Sequence, residues 1–156
     1  MVVTNVMRLL KQAGIGFETS EYEVDENDLS GVHLAEVLGV DVDCVFKTLV
    51  TRSDKRNLYV FCIPAAQELD LKKAASAVRE KKLEMVQVKE LLGLTGYIRG
   101  GCSPVGMKKK LPTVFDETAQ LFDRIYVSAG QRGVQVIVDP LQLAEYVEAA
   151  FIDVTK

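Results

Sequence analysis

Phe46-Lys47-Thr48-Leu49-Val50-Thr51-Arg52-Ser53-Asp54-Lys55-Arg56-Asn57-Leu58-Tyr59-Val60-Phe61-Cys62-Ile63 is the stretch that decides the fold. Two runs rich in β-branched and aromatic residues, Phe46–Arg52 and Leu58–Ile63, flank the polar turn Ser53–Asn57, and Pro64 ends the second run. Such residues suit a pleated, half-buried surface, and the spacing between the runs is that of a hairpin. Upstream, residues 5–13 read as a helix with Val6, Leu9, Leu10 and Ala13 on one face and Gly14 placed to end it. Ile15–Val24 reads as a strand, Asp25–Gly31 as an acidic turn, and His33–Leu38 as a short helix closed by Gly39, with a further turn at Asp41–Val45. Downstream, Asp70 can cap a helix running to about Glu80 with Leu71, Ala74, Ala75 and Val78 as its apolar stripe. A short strand at Leu83–Val86, a short helix Val88–Leu92 stopping at Gly93, and a loop Gly100–Gly106 follow. The remainder reads as a strand at Thr113–Phe115, a helical turn at Glu117–Phe122, strands Arg124–Ser128 and Val134–Val138, and a last helix opened by Asp139-Pro140 and ending near Ala149. Strands outnumber long helices, and several are joined by hairpin-length loops. The expectation is an α+β class: a single mixed, largely antiparallel sheet with surrounding short helices, in one domain spanning 1–156.

The composition excludes several function classes. The chain has 156 residues, 48% hydrophobic and 26% charged, which argues against disorder. No run of about 18 apolar residues exists to cross a membrane. Met1-Val2-Val3-Thr4-Asn5-Val6-Met7-Arg8 lacks the basic-then-apolar order of a secretory leader, so a cytoplasmic protein is expected. The three cysteines, Cys44, Cys62 and Cys102, are widely spaced and odd in number, against a disulfide framework. With His33 as the one histidine and no C-x-x-C, a zinc site lacks ligands, so no metal and no cofactor is expected. A His general base would have to be His33, which favours a histidine-free mechanism if the protein is an enzyme.

Charge is unevenly spread. The net charge is −3, yet residues 72–110 hold ten basic and three acidic residues and carry +7, against −6 for 1–71 and −4 for 111–156. A basic middle in an acidic chain can be a phosphate-attracting surface or a set of solvated helix faces.

A few residues could carry chemistry. Lys47 is a lone cation at the start of an otherwise apolar or β-branched strand. It either faces solvent or is aimed into a pocket, where it can orient a carbonyl or phosphate. Gly100-Gly101-Cys102-Ser103-Pro104-Val105-Gly106 suits a backbone-built anion or carbonyl site but matches neither the P-loop nor the dinucleotide pattern. Without a nearby histidine, the Cys102 thiol reads as inert. Tyr22 reads as core or interface, and His33 as a surface or capping residue.

Several of these segments together resemble the YbaK family: Val45-Phe46-Lys47-Thr48-Leu49, Glu68-Leu69-Asp70-Leu71-Lys72-Lys73, Thr95–Lys109, Leu111-Pro112-Thr113 and Ile125–Gly133. Their order and spacing match over nearly the whole chain. The family comprises free-standing aminoacyl-tRNA deacylases related to the editing domain inserted in bacterial prolyl-tRNA synthetases. Its best-known type clears cysteine from the proline tRNA. The resemblance implies that Lys47 is the essential lysine and that Gly100–Pro104 is the G-x-x-x-P loop lining the aminoacyl pocket. Tyr22 lies where the family has a pocket tyrosine, Ser128 and Gly130 match a serine-glycine turn beside the pocket, and Phe46 and Thr48 flank the lysine. One departure stands out: some members carry Asp where this chain has Gln135, so no carboxylate role transfers. Cys102 occupies a position that is usually aliphatic in the family.

The implied chemistry needs no protein base. The substrate's own thiol attacks its own carbonyl and expels the ribose oxygen. Backbone N–H groups of Gly100, Gly101 and Cys102 would steady the oxyanion, and Lys47 would fix the tRNA end. The expected partners are the acceptor end of tRNA(Pro), met by Lys108, Lys109 and Lys110, and prolyl-tRNA synthetase, with a monomer as the default. An Ala-tRNA(Pro) specificity and a non-catalytic module that binds tRNA or a synthetase remain as alternatives.

Overall fold

The structure, a computed structural model, describes residues 2–156. The hairpin forms as read. β2 (Phe46–Ser53) and β3 (Leu58–Pro64) pair antiparallel from Phe46 opposite Pro64 to Arg52 opposite Leu58. β3 is buried on both faces: Val60 and Cys62 turn into one apolar cluster, and Phe61 and Ile63 into another. That double burial explains its unbroken apolar run.

The α+β class stands, but the strands form two sheets where one was expected. In the larger, β4 (Leu83–Met85), β2, β3, β5 (Thr113–Asp116) and β8 (Ala150–Ile152) lie in that order, with β3–β5 and β5–β8 parallel. The smaller is antiparallel, β1 (Phe17–Glu21), β7 (Val134–Val138) and β6 (Ile125–Ser128). An isolated bridge from Val45 to Tyr126 joins them. The main core contains Phe46, Val50, Val60, Cys62 and Phe115 from the larger sheet and Ile125, Val127, Val134, Val136 and Val138 from the smaller.

The helices close the open sides. Thr4 caps α1 (Asn5–Gln12), which buries Val6, Met7 and Leu10 in the main core. Ser30 caps α2 (Gly31–Leu38) by accepting from the His33 N–H, and Gly39 ends it in the left-handed region at φ 68°. Asp70 accepts from the Lys72 and Lys73 N–H groups at the start of α3 (Leu71–Ala77). α4 (Val88–Thr95) runs through Gly93, the expected stop, to Gly96 at φ 86°. Gln87 and Glu90 form a capping box at its start. α5 (Pro140–Val147) leads into β8, which the sequence reading did not foresee.

Candidate active site

A cleft of about 580 Å³ opens where the two sheets meet under α2 and α4. It takes Phe46, Lys47 and Thr48 from β2, Tyr22 from beyond β1, Ser128 and Gln135 from the smaller sheet, and Arg99, Gly100 and Cys102 from the loop after α4. β4 covers β2 only from Thr51 to Ser53, and the Val86 N–H reaches the Val50 carbonyl. Upstream of that point β4 no longer pairs with β2, and the Phe46–Val50 stretch borders the cleft.

Lys47 is half-buried and makes no ion pair among the described residues. Burial pushes its pKa down from 10.5, partly opposed by the charge of Glu68. Glu68 itself pairs with Lys156 at 3.1 Å. A desolvated ammonium without a protein counter-ion is a site for an anion or a polarised oxygen.

The glycine loop is held against the β6–β7 turn. Gly100 has φ 85°, a left-handed conformation, and a Cβ on Gly101 would lie 3.1 Å from Gln131 Cα and 3.2 Å from the Arg132 nitrogen. Arg132 fastens three segments: its Nε donates to the Arg99 carbonyl at 2.8 Å, and its Nη1 meets Glu26 at 2.8 Å. Tyr97 closes the loop from behind by donating its hydroxyl to the Val105 carbonyl.

Not every expected residue reaches the cleft. The Gly101 N–H donates to the Ile98 carbonyl at 3.0 Å, closing a turn, so the expected three-donor oxyanion site is reduced to Gly100 and Cys102 at most. Ser103 and Pro104 are buried outside the cleft lining, and Ser103 Oγ accepts from the Val105 N–H. Gly130 also lies off the lining and donates its N–H to Ser128 Oγ at 3.1 Å. Lys108, Lys109 and Lys110 are not at the cleft: Lys108 Nζ donates to the Gly93 carbonyl, and Lys110 pairs with Glu148 at 2.7 Å. The turn that carries them is tied to α4's last residue, where the Lys108 N–H bonds the Thr95 carbonyl.

The thiols are poor nucleophiles. Burial pushes Cys102 up to about 12 and Cys62 up to about 12, so both stay protonated at neutral pH. Cys62 Sγ lies 3.6 Å from Thr48 Oγ1. His33 stands in a neighbouring crevice, with Nδ1 3.8 Å from Asp28. Asp28 is held below the usual carboxylate range by hydrogen bonds from the side chain and backbone of Ser30. Among the described residues no cluster of three or more His, Cys, Asp or Glu could hold a metal ion.

Sequence reasoning missed Arg99, Asp28, Gln87, Met85 and Val88 as lining residues. Arg99 adjoins the quoted glycine loop and could have been found. The others reach the cleft only through the packing of α2 and β4–α4.

Comparisons with known proteins bear on the family and the fold. A family model described as the aminoacyl-tRNA editing domain matches residues 29–146. Over 152 residues the chain is 45% identical to an Enterococcus faecalis protein named "Putative Cys-tRNA(Pro)/Cys-tRNA(Cys) deacylase EbsC", covering 97% of this chain and 93% of that one. It is 32% identical over 103 residues to the proline–tRNA ligase of Shouchella clausii, covering 66% of this chain and 18% of that much longer one. The fold matches a crystal structure described as "a putative trans-editing enzyme for prolyl tRNA synthetase" with TM-score 0.84, 24% identity and 100% and 99% of the two chains covered. It also matches the hypothetical protein APE2540 with TM-score 0.88, 22% identity and 97% and 99% covered.

Proposed function

Because the chain belongs to the aminoacyl-tRNA editing domain family, we propose that it is a free-standing, cytoplasmic deacylase acting as a single domain over 1–156 to remove cysteine from tRNA(Pro). The observation that carries this reading is the half-buried, unpaired Lys47 in a cleft that, among the described residues, offers no thiolate or histidine base of its own. A site of this kind favours a substrate that brings its nucleophile with it. The cysteinyl Sγ attacks its own carbonyl carbon, the C–O bond to the ribose breaks, and the ribose oxygen takes up the thiol proton. The four-membered thiolactone then opens with water to free cysteine. Confinement of thiol and ester in one conformer supplies much of the rate. Lys47, with the Gly100 and Cys102 N–H groups, steadies the oxygen that gains charge.

Among the described residues no helix is long and apolar enough to cross a membrane. The likeness to a segment of a proline–tRNA ligase supports a shared substrate end, the tRNA acceptor terminus. The relative's name couples two cysteinyl-tRNAs, which supports a chain that reads cysteine more than tRNA. Selection of tRNA(Pro) then falls to prolyl-tRNA synthetase as partner. The test is deacylation of Cys-, Ser- and Ala-tRNA(Pro) by purified protein. Rapid release of cysteine alone is expected; equal cleavage of serine or alanine esters overturns the thiol-assisted route, and no release overturns the deacylase. Unchanged cysteine release by Lys47→Ala overturns the role given to Lys47.

A further inference from the structure

The cleft floor carries one polar group that this reaction leaves unused. Gln135 sits on β7 in register between Ser20 of β1 and Ser128 of β6. Both neighbours are small, so neither roofs it over. Its β7 companions Val134, Val136 and Val138 turn into the core, while Gln135 faces the opposite way, into the cleft. The residue is 4% exposed, yet its amide makes no hydrogen bond to another described residue; its polar atoms open onto the cleft instead of being sealed. Ser128 Oγ, the nearest hydroxyl in register, already serves the Gly130 N–H. An amide that bonds no protein group and opens onto the cleft has its two donors and its acceptor free for whatever enters in place of water.

The other polar side chains narrow what that is. Lys47 and Arg99 are cations and repel an ammonium. Asp28 Oδ1 is taken by the Ser30 N–H at 3.1 Å and the Ser30 hydroxyl at 2.7 Å, and Oδ2 faces His33. Gln87 and Glu90 are engaged in the α4 capping box. An aminoacyl ester presents two polar groups besides its side chain, an α-amine and a carbonyl. The cations suit the carbonyl and the nucleic-acid end; Asn27, Asp28, Gln87 and Gln135 are the lining side chains with an amide or carboxylate acceptor, and of these only Gln135 is buried, at the floor where the aminoacyl end would sit. We infer that Gln135 is a specificity-determining residue that accepts a hydrogen bond from the substrate's α-amine, restricting the site to esters with a free amino group and rejecting N-acylated ones. This rests on the deacylase reading for its substrate, and it adds which end of that substrate the floor reads.

The experiment compares wild type, Gln135→Leu and Gln135→Glu on Cys-tRNA(Pro) and on N-acetyl-Cys-tRNA(Pro), with thermal melting of all three proteins. Wild type should prefer the free amine by about tenfold or more in kcat/KM, because acetylation removes the charge and all but one of the N–H donors and adds bulk at the buried floor. Gln135→Leu should lose that preference, through KM, with N-acetyl turnover unchanged. Its melting temperature should change little, because the amide bonds no protein group. Gln135→Glu, which keeps the acceptor, should keep the preference. Equal losses on both substrates in Gln135→Leu, or an unaltered ratio, overturns the assignment. Binding of a non-cleavable 3′-cysteinylamido-adenosine and its N-acetyl form, followed by calorimetry, separates the two readings. Free-amine preference in binding without any cysteine release sinks the deacylase and supports Gln135. Release without that preference sinks Gln135 alone, and absence of both release and binding sinks both.

Discussion

Gly31→Ala should damage this protein, although local rules say the opposite. Gly31 is the first residue of α2 and lines the cleft. Alanine in place of a helical glycine ordinarily gains up to about 1 kcal/mol. Here the added Cβ would lie 2.3 Å from Ala65 Cβ and 3.4 Å from Val45 Cγ1. Carbon atoms prefer about 3.5–4.0 Å, so helix and strand would have to separate by roughly 1.2–1.7 Å. Ala65 cannot recede, because its N–H is bonded to the Val45 carbonyl at 2.7 Å. Overpacking of this kind costs about 1–3 kcal/mol, leaving a net loss of up to about 2 kcal/mol after a full helix gain of about 1 kcal/mol. For a chain of this length that lowers Tm by up to about 8 °C. The same shift moves Ser30 and Leu34 away from Val45 and Ala65 across the cleft, so kcat/KM should fall about tenfold to a hundredfold. Melting followed by circular dichroism and cysteine release from Cys-tRNA(Pro) read both effects. Ala65→Gly combined with Gly31→Ala should restore them, since the colliding atom is gone. A single variant as stable and as active as wild type, or a double variant that recovers nothing, refutes the steric argument.

Further outcomes follow from the site. Lys47→Ala should lower kcat/KM by about a hundredfold or more. Because burial lowers the Lys47 pKa, the ammonium and the activity should be lost below the ordinary lysine value of 10.5 as pH rises; Lys47→Arg should abolish that alkaline fall, and its persistence there would assign it to another group. By linkage, the unfolded chain binds more protons than the folded one between the lowered pKa and 10.5, so this residue's contribution to stability rises with pH across that window, which nuclear magnetic resonance titration of Nζ can place. Cys102→Ala should keep kcat/KM within about twofold, since the thiol, pushed up to about 12, is protonated; loss of turnover would make it the nucleophile. Replacing Lys108, Lys109 and Lys110 together by Ala should raise KM and reduce the log–log salt slope by about one, not three, because Lys110 is already paired with Glu148 and Lys108 rests on a carbonyl. An unchanged slope removes them from the tRNA surface.

What lay in the sequence by itself was local. The β2–β3 hairpin, the Asp70 and Pro140 helix starts and the glycine stop at Gly39 follow from residues within a few positions of one another, where periodicity, capping and turn chemistry act. The glycine loop and Lys47 were legible for the same reason, and the family resemblance added the sense in which to read them. The tertiary structure alone decided the rest. β8 is three residues long, with no periodicity to betray it, and exists because β5 offers it a parallel edge. α4 runs through Gly93 and ends at Gly96, whose left-handed conformation and bond to the Leu92 carbonyl make the stop. The Gly101 N–H was withdrawn from the site by a carbonyl three residues back, and Lys110 by a carboxylate 38 residues on. Gln135, conspicuous in the sequence only as a departure from Asp, became a buried, unpaired amide once three strands put it between two serines. Pairing across sheets and burial depend on which distant chain segments meet, and a linear pattern carries that information only in part.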